Sequence, residues 1–253
     1  MLPFDDKLLA QLDRTARVAV LTGAGISAES GLPTFRGPGG WWRNHRAEEL
    51  ATPAAFQRDP RLVWEWYRHR REQVAQHHPN AGHAALVALA GQVQQFTLIT
   101  QCVDRYHQQA GSREVIELHG NLRESRCLQC GVQAEGATEI WREGLPYCGC
   151  GGLRRPAVVW FGEELPAAVL QRAFHAAEAC TIFFAIGTSA VVYPAAQLPH
   201  VARAAGATLV EINPERTPLT PQAHWFLQGP AGEILPALLA ALSGAGAGST
   251  ASV

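Results

Sequence analysis

The sequence predicts an α/β fold, a Rossmann-like parallel sheet that carries a helical insertion and a small cysteine-rich domain. Short apolar runs at 18–21, 96–100, 115–118, 182–186 and 208–212 have the pattern of strands buried on both faces. Helical patterns at 81–89, 165–179 and 195–205 fall between several of these runs. Strand alternating with helix builds a parallel sheet covered on both sides. Two segments break the rhythm: 37–80, rich in Trp, Arg and His, and 121–156, which holds four of the six cysteines.

The elements follow in order. Residues 5–15 form an amphipathic helix with Leu8, Leu9 and Leu12 on one side, and the run at 18–21 is the first strand, ending at Thr22-Gly23. Residues 1–36, 81–120 and 157–242 make up the sheet domain, 37–80 the helical insertion and 121–156 the small domain. The Gly/Ala/Ser-rich tail 243–253 is expected to be disordered.

Composition bounds the function. The 253 residues are 47% hydrophobic and carry a formal net charge of −1, which gives no bulk drive toward nucleic acid or a membrane surface. No stretch approaches the ~20 apolar residues of a membrane span. The N-terminus has early acids and no basic segment before an apolar run, so a signal peptide is not expected and a cytoplasmic location is. A monomer or weak oligomer is expected.

Gly23-Ala24-Gly25 directly follows the first strand. Such a turn lets the backbone approach a phosphate, and a helix starting near Ile26-Ser27 would aim free N–H groups at it. By itself the turn is also compatible with an α/β protein that binds nothing. The four clustered cysteines, Cys127-x-x-Cys130 and Cys148-x-Cys150, are two close pairs with 17 residues between them. Four thiolates on a loop-rich segment suit tetrahedral zinc, with no open position for catalysis, so the metal role is structural. The second pair is one residue tighter than the common spacing. Cys180 reads as core.

The longer string from Gly23 to Gly37, GAGISAESGLPTFRG, resembles the NAD-binding signature of the sirtuin family. So do Thr100-Gln101 with Asp104, His107 and Ala110-Gly111, then Glu117-Leu118-His119-Gly120, Gly187-Thr188-Ser189 and Glu211-Ile212-Asn213, all in the family's order. The resemblance implies NAD-dependent removal of acyl groups from protein lysines. The acyl-lysine attacks C1′ of the nicotinamide riboside, nicotinamide leaves, and the acyl group ends on ADP-ribose. His119 matches the catalytic base, and an imidazole with an ordinary pKa of about 6.5 suits that task. The implied cofactor set is Gly23, Ala24, Gly25, Ile26, Ser27, Glu29, Thr34, Phe35, Arg36, Trp42, Gln101, Cys102, Val103, Asp104, Gly187, Thr188, Ser189, Asn213, Pro214, Glu215 and Ala231. At position 102 the family usually has Asn. Cys102 lacks the amide's paired donor and acceptor, and it is either a reactive thiol beside the cofactor or a small buried residue.

Tyr67 and Arg70 lie three apart in a predicted helix and so share a face. They resemble the Tyr-x-x-Arg of the desuccinylase-type sirtuins of class III. The guanidinium fork can hold both oxygens of a carboxylate-tipped chain. Ala51 matches a small residue that leaves room for a longer acyl chain. Val159, Trp160 and Phe161 resemble the strand that pairs with the substrate peptide. The expected reaction is therefore removal of succinyl, malonyl and acetyl groups from lysine. A protein ADP-ribosyltransferase and a non-catalytic NAD or ADP-ribose sensor are the other readings of the same fold.

Overall fold

The structure, a computed structural model, describes residues 4–34, 41–135 and 140–248. The chain runs α1 (Asp6–Gln11), β1 (Arg17–Thr22), α2 (Ala24–Ala28), β2 (Trp41–Trp42), β3 (His45–Arg46), α3 (Ala47–Leu50), α4 (Pro53–Arg58), α5 (Pro60–Gln76), α6 (Ala81–Ala90), β4 (Gln95–Thr100), α7 (Tyr106–Gln109) and β5 (Val115–Glu117). It then enters the small domain through β6 (Gly120–Cys127), β7 (Gln133–Glu135), β8 (Ile140–Arg142), β9 (Leu145–Tyr147) and β10 (Arg154–Val158). It closes with α8 (Ala167–Ala179), β11 (Ile182–Ile186), α9 (Leu198–Ala204), β12 (Thr208–Asn213), β13 (Trp225–Gln228) and α10 (Ala231–Gly248).

The expected parallel sheet is present, in the order β13-β12-β11-β1-β4-β5. Its apolar runs serve two faces at once. Val18, Val20, Phe184, Ile186, Val210 and Ile212 join one core with Leu8, Leu86 and Leu238, while Ala19, Leu21, Phe183, Ala185 and Leu209 join another with Ala173 and Leu198. All five residues of β11 are buried, and each large apolar side chain so removed from water stabilises the fold by about 1.5–3 kcal/mol. From β1 the sheet grows through β4 and β5 on one side, then through β11, β12 and β13 on the other. The connections leaving β1 and β11 therefore diverge, which opens a crevice at the carboxyl ends of these two strands.

Two expectations on boundaries change. Residues 195–205 do not form one helix; 195–197 make a 3-10 turn before α9 begins. The segment expected to be a disordered tail is helical as far as Gly248, because α10 runs on through it. Alanine is the strongest helix former, and Leu239 and Leu242 pack against the core just before it. Among the described residues no helix is long and apolar enough to cross a membrane.

The small domain hangs on two connections from the sheet domain. Its β10-β6-β7 sheet pairs Val158 with Gly120, next to His119. Gly120 sits at φ +68°, where a Cβ would collide with the Ala157 carbonyl, so only glycine fits this corner. Arg105 ties the domains together: its guanidinium meets Glu117 of β5 at 3.3 Å, Glu124 of β6 at 2.6 Å and Glu135 of β7 at 3.4 Å.

Under the glycine turn lie two fully buried imidazoles, His83 and His107, with ring centroids 4.8 Å apart. Thr22 Oγ1 lies 2.9 Å from His107 Nε2. Burial holds His83 down to about 4 and His107 down to about 3, the latter helped by His83 beside it. The folded state thus keeps both neutral, whereas the unfolded chain takes up protons below about 6.5. Their contribution to stability is present above that pH and is lost as the pH falls through the folded values. The melting temperature is expected to decline from about pH 6.5 toward pH 4, and less steeply in His107→Gln. Scanning calorimetry across that range checks it, and parallel curves for the two proteins would contradict it.

Candidate active site

A cavity of about 700 Å3 opens at the carboxyl ends of the central strands. Gly23 follows β1, Gln101 follows β4, Gly187 follows β11 and Asn213 ends β12, and all four line it. The turns after β1 and β11 are locked together. Gly25 N–H donates to the Gly187 carbonyl at 2.9 Å, and a Cβ on Gly25 would stand 2.7 Å from Gly187 Cα. The glycines therefore serve first to let these turns touch. The N–H groups of Gly23, Gly25 and Ile26 go to Ile186, Gly187 and Gly23 carbonyls, and so are not aimed at a phosphate as the sequence suggested.

Polar side chains stiffen the rim. Gln101 Nε2 donates to Thr188 Oγ1 at 3.1 Å, and Asn213 Nδ2 donates to the Thr188 carbonyl at 2.9 Å. His119 lies across from these groups on the connection from β5 to β6 and also lines the cavity. Its Nδ1 is 3.2 Å from the Gln101 carbonyl. A carbonyl only accepts, so Nδ1 carries the hydrogen and Nε2 keeps its basic lone pair. Burial holds this imidazole below its ordinary value, and the bond to Gln101 pulls the other way.

The wall opposite the glycine turns is built from 158–163. Val159 N–H donates to the His119 carbonyl and Phe161 N–H to the Ala51 carbonyl, both at 2.9 Å. Trp160 N–H donates to Glu163 Oε2 at 2.8 Å, and Glu163 pairs with the buried Arg155. Ala51 and Tyr67 come to this wall from the helical insertion.

Of the residues singled out in the sequence, Gly23, Ala24, Gly25, Thr34, Gln101, Val103, His119, Gly187, Thr188, Ser189, Asn213 and Glu215 line the cavity, with Ala51, Tyr67, Val159, Trp160 and Phe161. Phe35 and Arg36 lie outside the described residues. Others lie behind the lining. Ile26 is fully buried core. Ser27 and Asp104 are buried and bonded to each other at 2.8 Å, and Asp104 also accepts the Tyr106 N–H. Burial raises the Asp104 carboxyl. Glu29 is spent on α10, where it accepts the Gly232 N–H at 2.8 Å, and Ala231 is buried in the same first turn. Trp42 stacks with Arg43, and the Pro214 carbonyl accepts from Gln228.

Arg70 is not part of the cavity lining, although it is close enough to act on Tyr67 and Asp104 through its charge. Cys102 is 7% exposed among core residues, and burial pushes its thiol up to about 12. That environment makes it a small core residue and removes the reactive-thiol reading. Glu48, Tyr193 and Thr217 line the cavity and were not read from the sequence. Each stands on a loop or a short helix, with no periodic pattern to mark it.

The groups implied by the resemblance fit what is present. A crevice of this volume at the point where strand order reverses suits a dinucleotide. In the small domain the Sγ atoms of Cys127, Cys130, Cys148 and Cys150 all lie within 4.8 Å of one another, with separations of 3.6, 3.7 and 3.5 Å for 127–150, 130–148 and 130–150. Tetrahedral zinc with bonds of about 2.3 Å needs edges of roughly 3.8 Å. The donor set is all sulfur and the buried Arg154 donates to Cys148 Sγ at 3.4 Å, which helps offset the charge of four thiolates.

The family model for the Sir2 family matches residues 23–194. An NAD-dependent protein deacylase of Thermococcus kodakarensis is 49% identical over 247 residues, covering 94% of this chain and 95% of its own. NAD-dependent protein deacylase 1 of Pseudomonas aeruginosa is 47% identical and covers 88% and 93%. The solved structure of a Sir2 homologue in complex with NAD superposes with a TM-score of 0.88 at 46% identity, covering 96% of this chain and 95% of that one. A mutant Sir2 homologue with bound 2′-O-acetyl ADP ribose reaches a TM-score of 0.90, covering 96% and 98%. The order of strands, the cavity where that order reverses and these matches agree, and the chain belongs to the Sir2 family.

Proposed function

We propose that this chain is an NAD-dependent protein lysine deacylase, with His119 as general base and a pocket that takes succinyl and malonyl as well as acetyl groups. One observation carries the reading. His119, with Nε2 left basic, shares a single cavity with the turns at Gly23 and Gly187 and with the wall 158–163. NAD supplies the electrophilic carbon to which the acyl oxygen becomes joined. The chain's own residues then orient and deprotonate. Val159 and Phe161 hold the wall against which an extended peptide would lie. Gln101, Thr188 and Asn213 fix the rim where ribose hydroxyls would sit, and His119 Nε2 takes a hydroxyl proton there.

The relatives named NAD-dependent protein deacylase support this chemistry. Cys102 in the cofactor motif lent weight to the ADP-ribosyltransferase reading, and its place in the core, off the cavity lining and with its thiol pushed up by burial, lowers that weight. A mixture of the protein, NAD and acyl-lysine peptide is expected to release nicotinamide and O-acyl-ADP-ribose in equal amounts by mass analysis. Absence of turnover on both acetyl and succinyl peptides would sink the reading.

Tyr67 and Arg70 are the basis for the acidic acyl groups. An Arg–carboxylate pair is worth roughly 1.5–3 kcal/mol. Arg70→Met is therefore expected to lower the ratio of desuccinylation to deacetylation by about 10- to 100-fold. Equal loss of both activities on matched peptides would refute a selective role.

A further inference from the structure

Glu117 ends β5 just before Leu118 and His119, and Asn121 stands in β6 just after Gly120. Asn121 Nδ2 donates to Glu117 Oε2 at 2.9 Å, so the two side chains close a ring around the backbone of the base. The N–H groups of Arg123 and Glu124 donate to Asn121 Oδ1 at 3.1 and 3.0 Å, which settles the orientation of the amide. Asn121 is buried, and these three bonds commit its side chain to this turn.

The carboxylate is anchored on its other side. Glu117 Oε1 accepts from Gln108 Nε2 at 2.7 Å and from Arg105 Nε at 3.3 Å. Both donors belong to the segment that follows Gln101, whose carbonyl meets His119 Nδ1. The same two stretches of chain are stitched by backbone bonds from Leu118 to Thr100 at 2.9 Å and from Leu122 to Val103 at 2.8 Å. The imidazole's own bond, at 3.2 Å, is at the long end of the range for N–H···O. Its direction therefore depends on where the backbone places the ring.

We propose that Glu117 and Asn121 are positioning residues: their clip sets the main chain of His119 so that Nδ1 meets the Gln101 carbonyl and Nε2 faces the cavity. The inference rests on His119 as the base and assigns its orientation to a pair outside the cavity lining. With the clip open, the ring loses its register with the carbonyl and takes up the tautomer with hydrogen on Nε2, which cannot accept a hydroxyl proton there.

The test reverses the polarity of the clip. Asn121→Asp sets two carboxylates against each other and should open it. The folded variant is expected to lose about 10- to 100-fold in kcat, the scale of a small misplacement of a reacting group, with KM for NAD and peptide little changed. In Glu117→Gln/Asn121→Asp the new amide donates to the new carboxylate, which still accepts the Arg123 and Glu124 N–H groups, and the amide oxygen still accepts from Gln108. Most of the lost kcat should return. Nitrogen NMR of the histidine rings, with His119 assigned by its absence in His119→Gln, reads the tautomer without turnover. Hydrogen should sit on Nδ1 in the parent and the double variant, and shift toward Nε2 in Asn121→Asp. A pair that only stabilises the fold would lower the melting temperature and leave tautomer and kcat unmoved. That result overturns the proposal, as does a folded double variant no faster than Asn121→Asp. Should Asn121→Asp not fold, Glu117→Gln alone opposes one amide NH2 to those of Gln108 and Asn121, and parental kcat and tautomer there overturn it equally. A fully active His119→Gln sinks the base reading itself, whereas an inactive one beside a parental Asn121→Asp sinks this inference alone.

Discussion

His119→Gln is expected to deacylate its peptide about 10^2- to 10^4-fold more slowly than the parent, the usual range for a lost general base. Gln can still donate to the Gln101 carbonyl, which lies 3.2 Å from His119 Nδ1, so the local packing has a substitute. What Gln cannot do is accept a proton at the position of Nε2. The loss should therefore fall on kcat. The parent's pH profile carries the same information. Burial lowers the His119 imidazole from its ordinary value, with the Gln101 bond in partial opposition. A base must be neutral to act, so activity should hold through neutral pH and fall only on the acid side of about 6.5. An acid limb centred above that value in a kcat/KM profile would contradict the burial of this ring.

Removing the metal should have the second largest effect. A strong chelator, or Cys148→Ser, is expected to unfold the small domain and lower activity more than tenfold. The reason is energetic. β7, β8 and β9 are three residues each, and Ile140, Trp141, Leu128 and Val132 are exposed. Such a segment buries too little apolar surface to fold alone, while structural zinc supplies roughly 10–16 kcal/mol in isolated fingers. The effect reaches the site because β6 begins at Gly120, directly after His119, and pairs with Val158 in the cavity wall 158–163. Metal content by atomic emission, hydrogen exchange over 121–156 and turnover would be followed together. A metal-free protein with full activity and unchanged exchange would refute the structural role.

The central strands were legible because burial on both faces demands unbroken apolar runs, and 182–186 is the clearest case. The edge strand β13 was not. Its residues are half-buried or exposed, and its aromatic and polar mixture reads as loop. In the small domain the sulfur cluster was legible from spacing, but the short strands around it were not, since their order depends on Arg154, Arg105 and the thiolates more than on periodicity. The residues that line the cavity were largely legible through motif likeness. Direction was not. Glu29 and Asp104 sit in the motif segments but turn inward, one to cap α10 and one to hold Ser27. Likewise Tyr67 and Trp160 could each be named from the sequence, but the hydrogen bond between them depends on a fold that joins positions 93 residues apart.

The two connections to the small domain have a mechanical consequence. His119 lies on the outgoing one and Val159 on the returning one, and a backbone hydrogen bond of 2.9 Å joins them. Because His119 Nδ1 also meets the Gln101 carbonyl and Phe161 N–H the Ala51 carbonyl, that bond closes a bridge between the root of the small domain, the central sheet and the helical insertion, so a strain on any one of the three is passed to the imidazole.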